Sequence, residues 1–273
     1  MSDVAMAGPR PGFVSAHALL KGSGVLWFLA VIAGQWLFVY YILAAYLPPS
    51  LAGDWARWDD TGLIHGYIED DLAGNLMFIT HVLLAAVITL GGTLQLVPPL
   101  RRHFPAVHRW TGRVFLTVAV IMSVGGMVLI WGRGTRLNDV TGLATTLDGV
   151  LILIAAGFAL YNIRKRRIDR YRRWAMRLFI FVSGVWSLRV GYMAWGIATG
   201  GAGIGERMNG PADYAMAYAS FLLPWVVLEL YLRACDSRSP AAKLAMAGGM
   251  VLAAAVTALG VFGAWMVMWS PHV

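Results

Sequence analysis

Seven apolar stretches in this sequence are each long enough to cross a lipid bilayer as a helix. A crossing helix needs about 20 mainly apolar residues, because each residue adds about 1.5 Å along the axis. Backbone groups inside lipid must be paired, which favours helices for stretches of this length. We therefore predict an all-α fold, a polytopic transmembrane helix bundle of about seven spans. The predicted spans cover residues 24–47, 72–97, 110–131, 141–163, 174–199, 214–232 and 244–269.

The composition fits a protein that lies in a bilayer. Hydrophobic residues make up 59% of the chain and charged residues only 13%, which is far more apolar than a soluble domain. The formal net charge is +8, but the basic residues lie in short loops between the apolar stretches. This placement argues against nucleic acid as a partner and leaves the lipid bilayer as the main one. The single cysteine, Cys235, rules out an intrachain disulfide, a CxxC pair and a thiolate zinc cluster.

The positions of Lys and Arg predict the orientation in the membrane. They are concentrated after the second, fourth and sixth spans, and short cytoplasmic loops carry the excess of positive charge. We therefore expect a bacterial inner-membrane protein with a cytoplasmic N-terminus, and basic loops that meet anionic lipid headgroups. The predicted segments are a cytoplasmic segment 1–23, a single transmembrane domain 24–269 with core hairpins 72–131 and 141–199 and an external loop 48–71, and an external tail 270–273.

Three ionisable residues are predicted to lie at one depth in three different spans. Counted from the external end of each span, His81, Asp148 and Arg189 lie roughly 10 to 15 Å below the outer surface. An Asp and an Arg at one level can neutralise each other, and a histidine can join them as a proton donor or acceptor. Ionisable groups inside a membrane are costly and therefore tend to be functional. The cluster is interpreted either as an outward-facing ligand or proton site or as a structural salt bridge between helices.

A second set of polar residues is expected near the cytoplasmic ends of the spans. Arg and Lys at span ends commonly extend to the lipid headgroups, and a glutamate there can pair with an arginine. A basic pocket on this side can instead bind a phosphate, a lipid headgroup or a quinone carbonyl. This inner polar layer consists of Gln95, His108, Arg109, Arg113, Arg177 and Glu229.

Two segments at the starts of predicted spans are similar to each other. Residues 108–113 read HRWTGR and residues 172–177 read RRWAMR, and each opens a span after a basic turn. The second and third spans are therefore candidates for a parallel repeat of the fourth and fifth, as in some transporters. Trp and Arg are also common anchors at helix starts, which explains the similarity equally well.

An ordered set of residues runs from the second span into the third, and it consists of His81, Gly91-Gly92, Gln95-Leu96, Leu100-Arg101, His108-Arg109 and Gly112-Arg113. In this order the residues resemble an uncharacterised bacterial family of multi-pass membrane proteins, domain of unknown function 2306. The resemblance covers about the second to sixth spans and implies an inner-membrane protein without an established activity. That family usually carries a histidine before the Arg and Trp that open the fifth span, whereas this sequence has Tyr171. The difference counts against a metal or haem held jointly by histidines.

Proton-coupled transport and small-ligand binding are the functions that the His81, Asp148 and Arg189 cluster favours. The first alternative is a b-type haem or quinone-linked redox protein, because HRxxG at a helix start is similar to cytochrome b561-like proteins. Haem b bound by two histidines needs them to face each other at one depth. Of the other histidines, only His65 in the external loop could reach His81.

The second alternative is a non-enzymatic scaffold or assembly partner of an envelope complex. The run of small residues over 245–263 offers a close-packing face for a helix of this chain, of another membrane protein or of a second copy. The sequence has no GxSxG, HExxH, P-loop or CxxC motif, so it assigns no catalytic residue and leaves open whether the protein is an enzyme. It predicts no metal site.

Overall fold

The computed structural model describes residues 15–61 and 65–273, and these contain nine α-helices and no strand. Residues 1–14 of the predicted N-terminal segment and residues 62–64 of the predicted external loop lie outside the described residues. The helices are α1 Ala16–Ala52, α2 Leu72–Gln95, α3 Pro98–His103, α4 Pro105–Gly132, α5 Asp139–Arg164, α6 Ile168–Val182, α7 Gly184–Thr199, α8 Pro211–Asp236 and α9 Pro240–Ala264. Short turns of 3-10 or π helix cover Trp55–Thr61, Trp265–Trp269 and Ser270–His272.

Six of the described helices are individually long and apolar enough to cross a membrane, namely α1, α2, α4, α5, α8 and α9. Helices α6 and α7 pass the same test only as a pair bent by 57°, which counts as a seventh candidate span by length and composition. The predicted all-α polytopic bundle is therefore confirmed. Which membrane side each end of the chain faces stays a prediction.

Several helices extend beyond the predicted spans because capping residues, rather than apolar ones, set their ends. Helix α1 begins after Ser15, whose side chain accepts a hydrogen bond from the Ala18 amide at 3.2 Å. It ends at Gly53, which has a left-handed φ of 76°. Helix α5 begins after Asn138, whose side chain accepts from the Thr141 amide at 3.0 Å.

The helices pack into two connected groups. In the first group α1 contacts α2 and α9, and α9 contacts α7. In the second group α4 lies between α2 and α5, while α5 also contacts α6 and α8. The first hydrophobic cluster contains Phe38, Trp186 and Val261, and the second contains Phe115 and Phe221. Helix α7 is thus held between α1, α8 and α9, and α5 lies beside the start of α7.

Glycines allow α9 to approach α7 closely. A side chain at Gly260 would collide with the backbone of Val190, and a Cβ at Gly263 would lie 2.9 Å from the Cβ of Met193. This end of the small-residue run 245–263 therefore packs within the chain. Gly248 and Gly249, at the other end of the run, have nothing within 4 Å of the place where a Cβ would lie.

The break between α6 and α7 lies inside the predicted fifth span, which the sequence pattern presented as one continuous helix over 174–199. Ser183 separates the two helices, and its hydroxyl donates to the backbone oxygen of Phe179 at 2.8 Å. Gly184, which follows directly, is the first residue of α7. Ser and Gly together are a common cause of helix kinks. Backbone hydrogen bonds continue across the bend, from Ser183 N to Phe179 O and from Ser187 N to Ser183 O, and the Ser183 hydroxyl is contacted by Gln35 of α1.

Candidate functional site

A buried carboxyl group lies where α6 ends and α7 begins. Asp148 on α5 is only 6% exposed, and its side chain contacts Gly184. A side chain at position 184 would collide with Asp148 Oδ2, so this contact requires glycine. Oδ1 of Asp148 is buried and has no hydrogen-bond partner among the described residues. A buried carboxylate in this state is costly unless a proton, a cation or a hydrogen-bond donor reaches it.

Three other buried polar atoms beside the first two turns of α7 also lack partners within the described part of the chain. Trp186 Nε1 and Arg189 Nε belong to α7, and Gln35 Oε1 belongs to α1. Gln35 is tied to the break because its Nε2 donates to Ser183 Oγ at 2.8 Å. Buried polar groups nearly always have partners, so each exception calls for a physical explanation. We name this group, with Asp148, the α7 polar cluster.

The positive charge of Arg189 is not balanced by a carboxylate in the described residues. Its Nη1 donates to the backbone oxygen of Val185 at 3.2 Å. Its guanidinium group lies over the ring of Phe38 on α1, with 5.3 Å between the guanidinium carbon and the ring centroid. The Phe38 ring in turn packs against the ring of Trp269, with 5.5 Å between centroids. A cation-π contact therefore links Arg189 on α7 to Phe38 on α1.

His81 lies in a different environment, between α2 and α4. Its imidazole ring packs against two successive glycines of α4, and a Cβ at Gly126 would lie 3.2 Å from His81 Cε1. The ring lines a cavity of about 260 Å³ together with Met77 and Met122. Within residues 15–61 and 65–273, the imidazole makes no hydrogen bond or ion pair. His81 therefore has free hydrogen-bonding capacity inside a span.

The structure does not join the three residues of the predicted outer site directly. No hydrogen bond or ion pair within the described ranges connects any two of His81, Asp148 and Arg189. Asp148 contacts Gly184, the first residue of α7, and Arg189 lies five residues further along the same helix. His81 contacts α4 instead. That the three residues share one depth also stays a prediction. That the three residues form one ligand or proton site stays a prediction.

In the inner polar layer, Gln95 joins the end of α2 to the start of α4. Its Nε2 donates to the backbone oxygen of His108 at 3.1 Å and to Thr111 Oγ1 at 2.6 Å. His108 Nδ1 is buried without a partner in the described structure, and Arg109 is exposed. Gln95 therefore connects α2 to α4 through hydrogen bonds, which its position in the sequence did not indicate.

The other part of the inner layer is an ion pair between α6 and α8. Arg177 donates from Nε and Nη2 to the two carboxylate oxygens of Glu229, at 2.6 and 3.0 Å. The indole of Trp225 also donates to Glu229 Oε1, at 3.1 Å. A fork-shaped pair of this kind fixes both side chains, so these two residues connect the helices.

The two similar segments at the starts of α4 and α6 share a geometry. The guanidinium carbon of Arg113 lies 4.8 Å from the ring centroid of Trp110, and that of Arg177 lies 4.6 Å from the ring centroid of Trp174. In each segment the arginine covers the tryptophan one turn before it. This agreement supports the hypothesis of a parallel repeat, which stays a prediction.

A network that joins the start of α2 to the end of α4 was not predicted from the sequence. Arg133, which follows α4, donates to Asp71 Oδ2 at 2.8 Å, to the backbone oxygen of Gly66 at 2.9 Å and to Asn75 Oδ1. Its side chain is only 6% exposed. The Arg133 guanidinium, and then the Gly74 amide, hold the pKa of Asp71 below its usual range. The available signal was an arginine directly after a span, on the side of the acidic loop.

A second missed residue is Asp213, in the first turn of α8. It is fully buried and accepts hydrogen bonds from the Tyr192 hydroxyl at 3.0 Å and from the Gly205 and Gly210 amides at 2.8 and 2.7 Å. The signal was an acidic residue three positions after Gly210 and just after Pro211, a pattern typical of a helix start. Asp213 thus fixes the glycine-rich loop before α8.

In the described residues, His65 and His81 line separate cavities, so these two do not face each other as a haem pair would. The side chain of His65 is 94% exposed and lies 3.4 Å from Asp59 Oδ2. It lines an outer cavity of about 320 Å³ with Arg133 and Arg136, and His81 lines a separate one. In residues 15–61 and 65–273, no three His, Cys, Asp or Glu side chains come together as a metal-binding group.

The comparisons with known proteins match the middle of the chain and identify no activity. Neither a curated protein nor a solved structure matches the chain. Residues 78–209 match the family model described as "Predicted membrane protein (DUF2306)". This range contains His81, Asp148, Arg189 and the break between α6 and α7. The resemblance predicted from the motifs of the second and third spans is therefore confirmed, and over residues 78–209 this chain is similar to that family of multi-pass membrane proteins.

Proposed function

We propose that this protein is a proton-coupled carrier of a small polar solute and that the α7 polar cluster binds both the proton and the solute. The observation that carries the proposal is the concentration of partnerless buried polar atoms beside a helix that begins inside a span. Carriers of several folds bind substrate where a broken helix leaves polar groups in the middle of the membrane. The bend of 57° at Ser183 provides such a place.

In this proposal Asp148 holds the proton. Its carboxyl contacts the first residue of α7 and has an acceptor oxygen without a donor among the described residues. An isolated ionised carboxylate is costly to bury, and a bound proton or cationic group removes that cost. Proton binding and release at Asp148 would therefore change the charge at the start of α7, where the helix dipole is positive.

Arg189 and Gln35 are the residues that we assign to the solute. Arg189 keeps a buried Nε–H without an acceptor, and Gln35 keeps a buried Oε1 without a donor, in the part of the chain that the structure describes. A solute that carries both a hydrogen-bond acceptor and a donor would satisfy these two groups together. The solute is accordingly small and polar, such as an amino acid, a sugar or a short organic acid.

Carbodiimide labelling tests the proton site, because carbodiimides attack protonated carboxyl groups in apolar surroundings. The purified protein in lipid vesicles would be treated with dicyclohexylcarbodiimide over a pH range, and the labelled peptides would be mapped by mass spectrometry. We expect label on Asp148 and none on Asp213, which is equally buried but has three hydrogen-bond donors. An unlabelled Asp148 at every pH would contradict its role as the proton site.

Transport itself is tested by recording currents from the same vesicles on a solid support during solute jumps with amino acids, sugars and short organic acids. A carrier that moves one proton with a neutral solute gives a solute-dependent current that a proton gradient enhances, whereas one proton moved with a monoanion gives no current and is followed by the change of pH inside the vesicles. Asp148→Asn should abolish the enhancement. The matched control is Asp169→Asn on α6, because the side chain of Asp169 is 93% exposed. Equal enhancement in the Asp148→Asn protein would remove this residue from the coupling.

A further inference from the structure

A crevice between α2 and α4 contains His81 and opens toward the lipid. Its volume is about 260 Å³, and its walls include Met77 and Met122. Leu76 and Ile121 line its mouth and are 48% and 53% exposed, on surfaces that face acyl chains in a bilayer. A molecule dissolved in the membrane can therefore enter it from the side.

The base of the crevice is shaped around the imidazole ring. Gly125 and Gly126 of α4 face the ring, and a Cβ at these positions would lie 4.0 Å from Nδ1 and 3.2 Å from Cε1. A Cβ at Gly126 would require the imidazole ring to shift by a few tenths of an ångström. Neutral imidazole has one N–H donor and one acceptor nitrogen, and His81 uses neither within the described residues.

The depth of His81 limits what can reach it. It is nine residues after Leu72, the first residue of α2, which is roughly 13 Å along the axis at the usual rise per residue. That places the ring well inside a hydrocarbon core of about 30 Å. Headgroups and ester carbonyls of phospholipids lie closer to the interface, and an acyl chain has no group that pairs with imidazole.

We propose that the crevice binds the ring of a lipid-soluble quinone and that His81 donates a hydrogen bond to one of its carbonyl oxygens. A cavity of about 150 Å³ in another protein holds benzene, so the volume suffices for a substituted six-membered ring. The sulfurs of Met77 and Met122 give favourable contacts to such a ring. The site is separate from the α7 polar cluster, because its contacts are with α4 and not with α7.

Photolabelling tests the proposal with a defined probe. The protein in lipid nanodiscs would be irradiated with a short-chain azidobenzoquinone, and labelled peptides would be identified by mass spectrometry. We expect label on α2 and α4 near His81, Met77 and Met122, competed by decylbenzoquinone but not by added phospholipid. Label confined to other helices, or lost equally with added phospholipid, would overturn the proposal.

Variants separate a hydrogen bond from simple packing. His81→Ala should weaken decylbenzoquinone binding roughly three- to tenfold, the usual effect of one hydrogen bond, and His81→Gln should restore part of it. Gly126→Ala should also weaken binding, because the new methyl group requires the imidazole to shift by a few tenths of an ångström from its position in the crevice. Unchanged affinity in both His81→Ala and Gly126→Ala would overturn the proposal even if one of them were poorly folded.

Two controls make the result specific. Gly157→Ala is the matched glycine control, because nothing lies within 4 Å of a Cβ at that position of α5. It should bind the quinone as the unmodified protein does. Asp148→Asn should leave quinone labelling unchanged, so that a failure of the transport proposal and a failure of the quinone site are distinguishable.

Discussion

Asp148 and Asp213 are both buried, but their surroundings assign them opposite roles. Asp213 accepts three hydrogen bonds and lies at a helix start, whereas Asp148 leaves Oδ1 without a donor in the described structure. A satisfied buried carboxylate stabilises a fold, while an unsatisfied one is costly and persists where function needs it. At the residue scale, the hydrogen-bond partners of a buried charge therefore indicate its role better than its depth does.

Asp213→Asn should destabilise the protein. The amide has one acceptor oxygen, which in the place of Oδ2 keeps the Gly205 and Gly210 amides without the negative charge that strengthens both bonds. Its NH₂ group then faces the Tyr192 hydroxyl, which loses its acceptor. A buried donor left unpaired costs about 1–3 kcal/mol. The apparent melting temperature in detergent would be measured for Asp213→Asn and for Tyr192→Phe, which removes only one donor and should cost less. A larger loss for Tyr192→Phe would contradict this ranking.

The Asp71–Arg133 pair should make stability depend on pH. Because the pKa of Asp71 is lowered in the folded protein, the unfolded chain binds more protons between the lowered value and the ordinary value of about 3.9. The stabilisation is therefore complete above the ordinary pKa and is lost as pH falls through the lowered one. We expect Asp71→Asn to melt below the unmodified protein at neutral pH, with a difference that shrinks in acid. A difference independent of pH would contradict the ion pair.

The sequence located the ionisable residues of the spans but not their contacts. Counting residues along each predicted span gives a depth, and on that count the sequence predicts one level for His81, Asp148 and Arg189. Contacts also depend on rotation about each axis and on helix bending. His81 faces α4, Asp148 faces the start of α7 and Arg189 faces Phe38, and no periodicity in one helix specifies these partners.

At the scale of elements, the break between α6 and α7 is the feature with the largest consequence. Hydropathy cannot detect it, because both halves are apolar and no proline separates them. The signals are Ser183 and Gly184, a pair that also occurs in continuous helices. Gln35 on α1 and Asp148 on α5 contact this pair from other helices. The sequence of the fifth span alone therefore does not predict the bend.

Gly184→Ala should disturb the break, because its methyl group would collide with the Asp148 carboxyl. We expect a lower melting temperature and a loss of proton-enhanced current. The matched control on the same helix is Gly196→Ala, which has nothing within 4 Å of the new Cβ. Alanine is favoured over glycine in helices by about 1 kcal/mol, so this control should be neutral or stabilising. Equal melting temperatures for the two variants would contradict a tight contact at Gly184.

At the scale of the whole molecule, the bundle was predictable because lipid restricts backbone to helices and hydropathy reports their positions. All seven predicted spans overlap helices of the structure, including the bent pair. The helix ends differ because caps such as Ser15 and Asn138 lie outside the apolar runs. The hydrogen-bond networks around Arg133 and Asp213 were not predicted, because they include loop residues whose contacts depend on how the helices pack.

Counting the bent pair α6 and α7 as one span gives seven candidate crossings, for which the basic loops predict a cytoplasmic N-terminus and an external C-terminus. Single-cysteine variants in a Cys235→Ser background test this. In right-side-out vesicles, a membrane-impermeant maleimide should label Asp54→Cys directly and Ser237→Cys only after the membrane is opened. The reverse pattern would show the opposite orientation.

The hydrogen bonds of Arg133 also bear on how the bundle can move. They tie the residue after α4 to Asp71 and Asn75 at the start of α2, with Gly66 of the preceding loop as a third partner. We expect these two helices to move as one rigid pair that does not separate at this end. Any separation of helices at this end of the bundle must then occur between other pairs than α2 and α4.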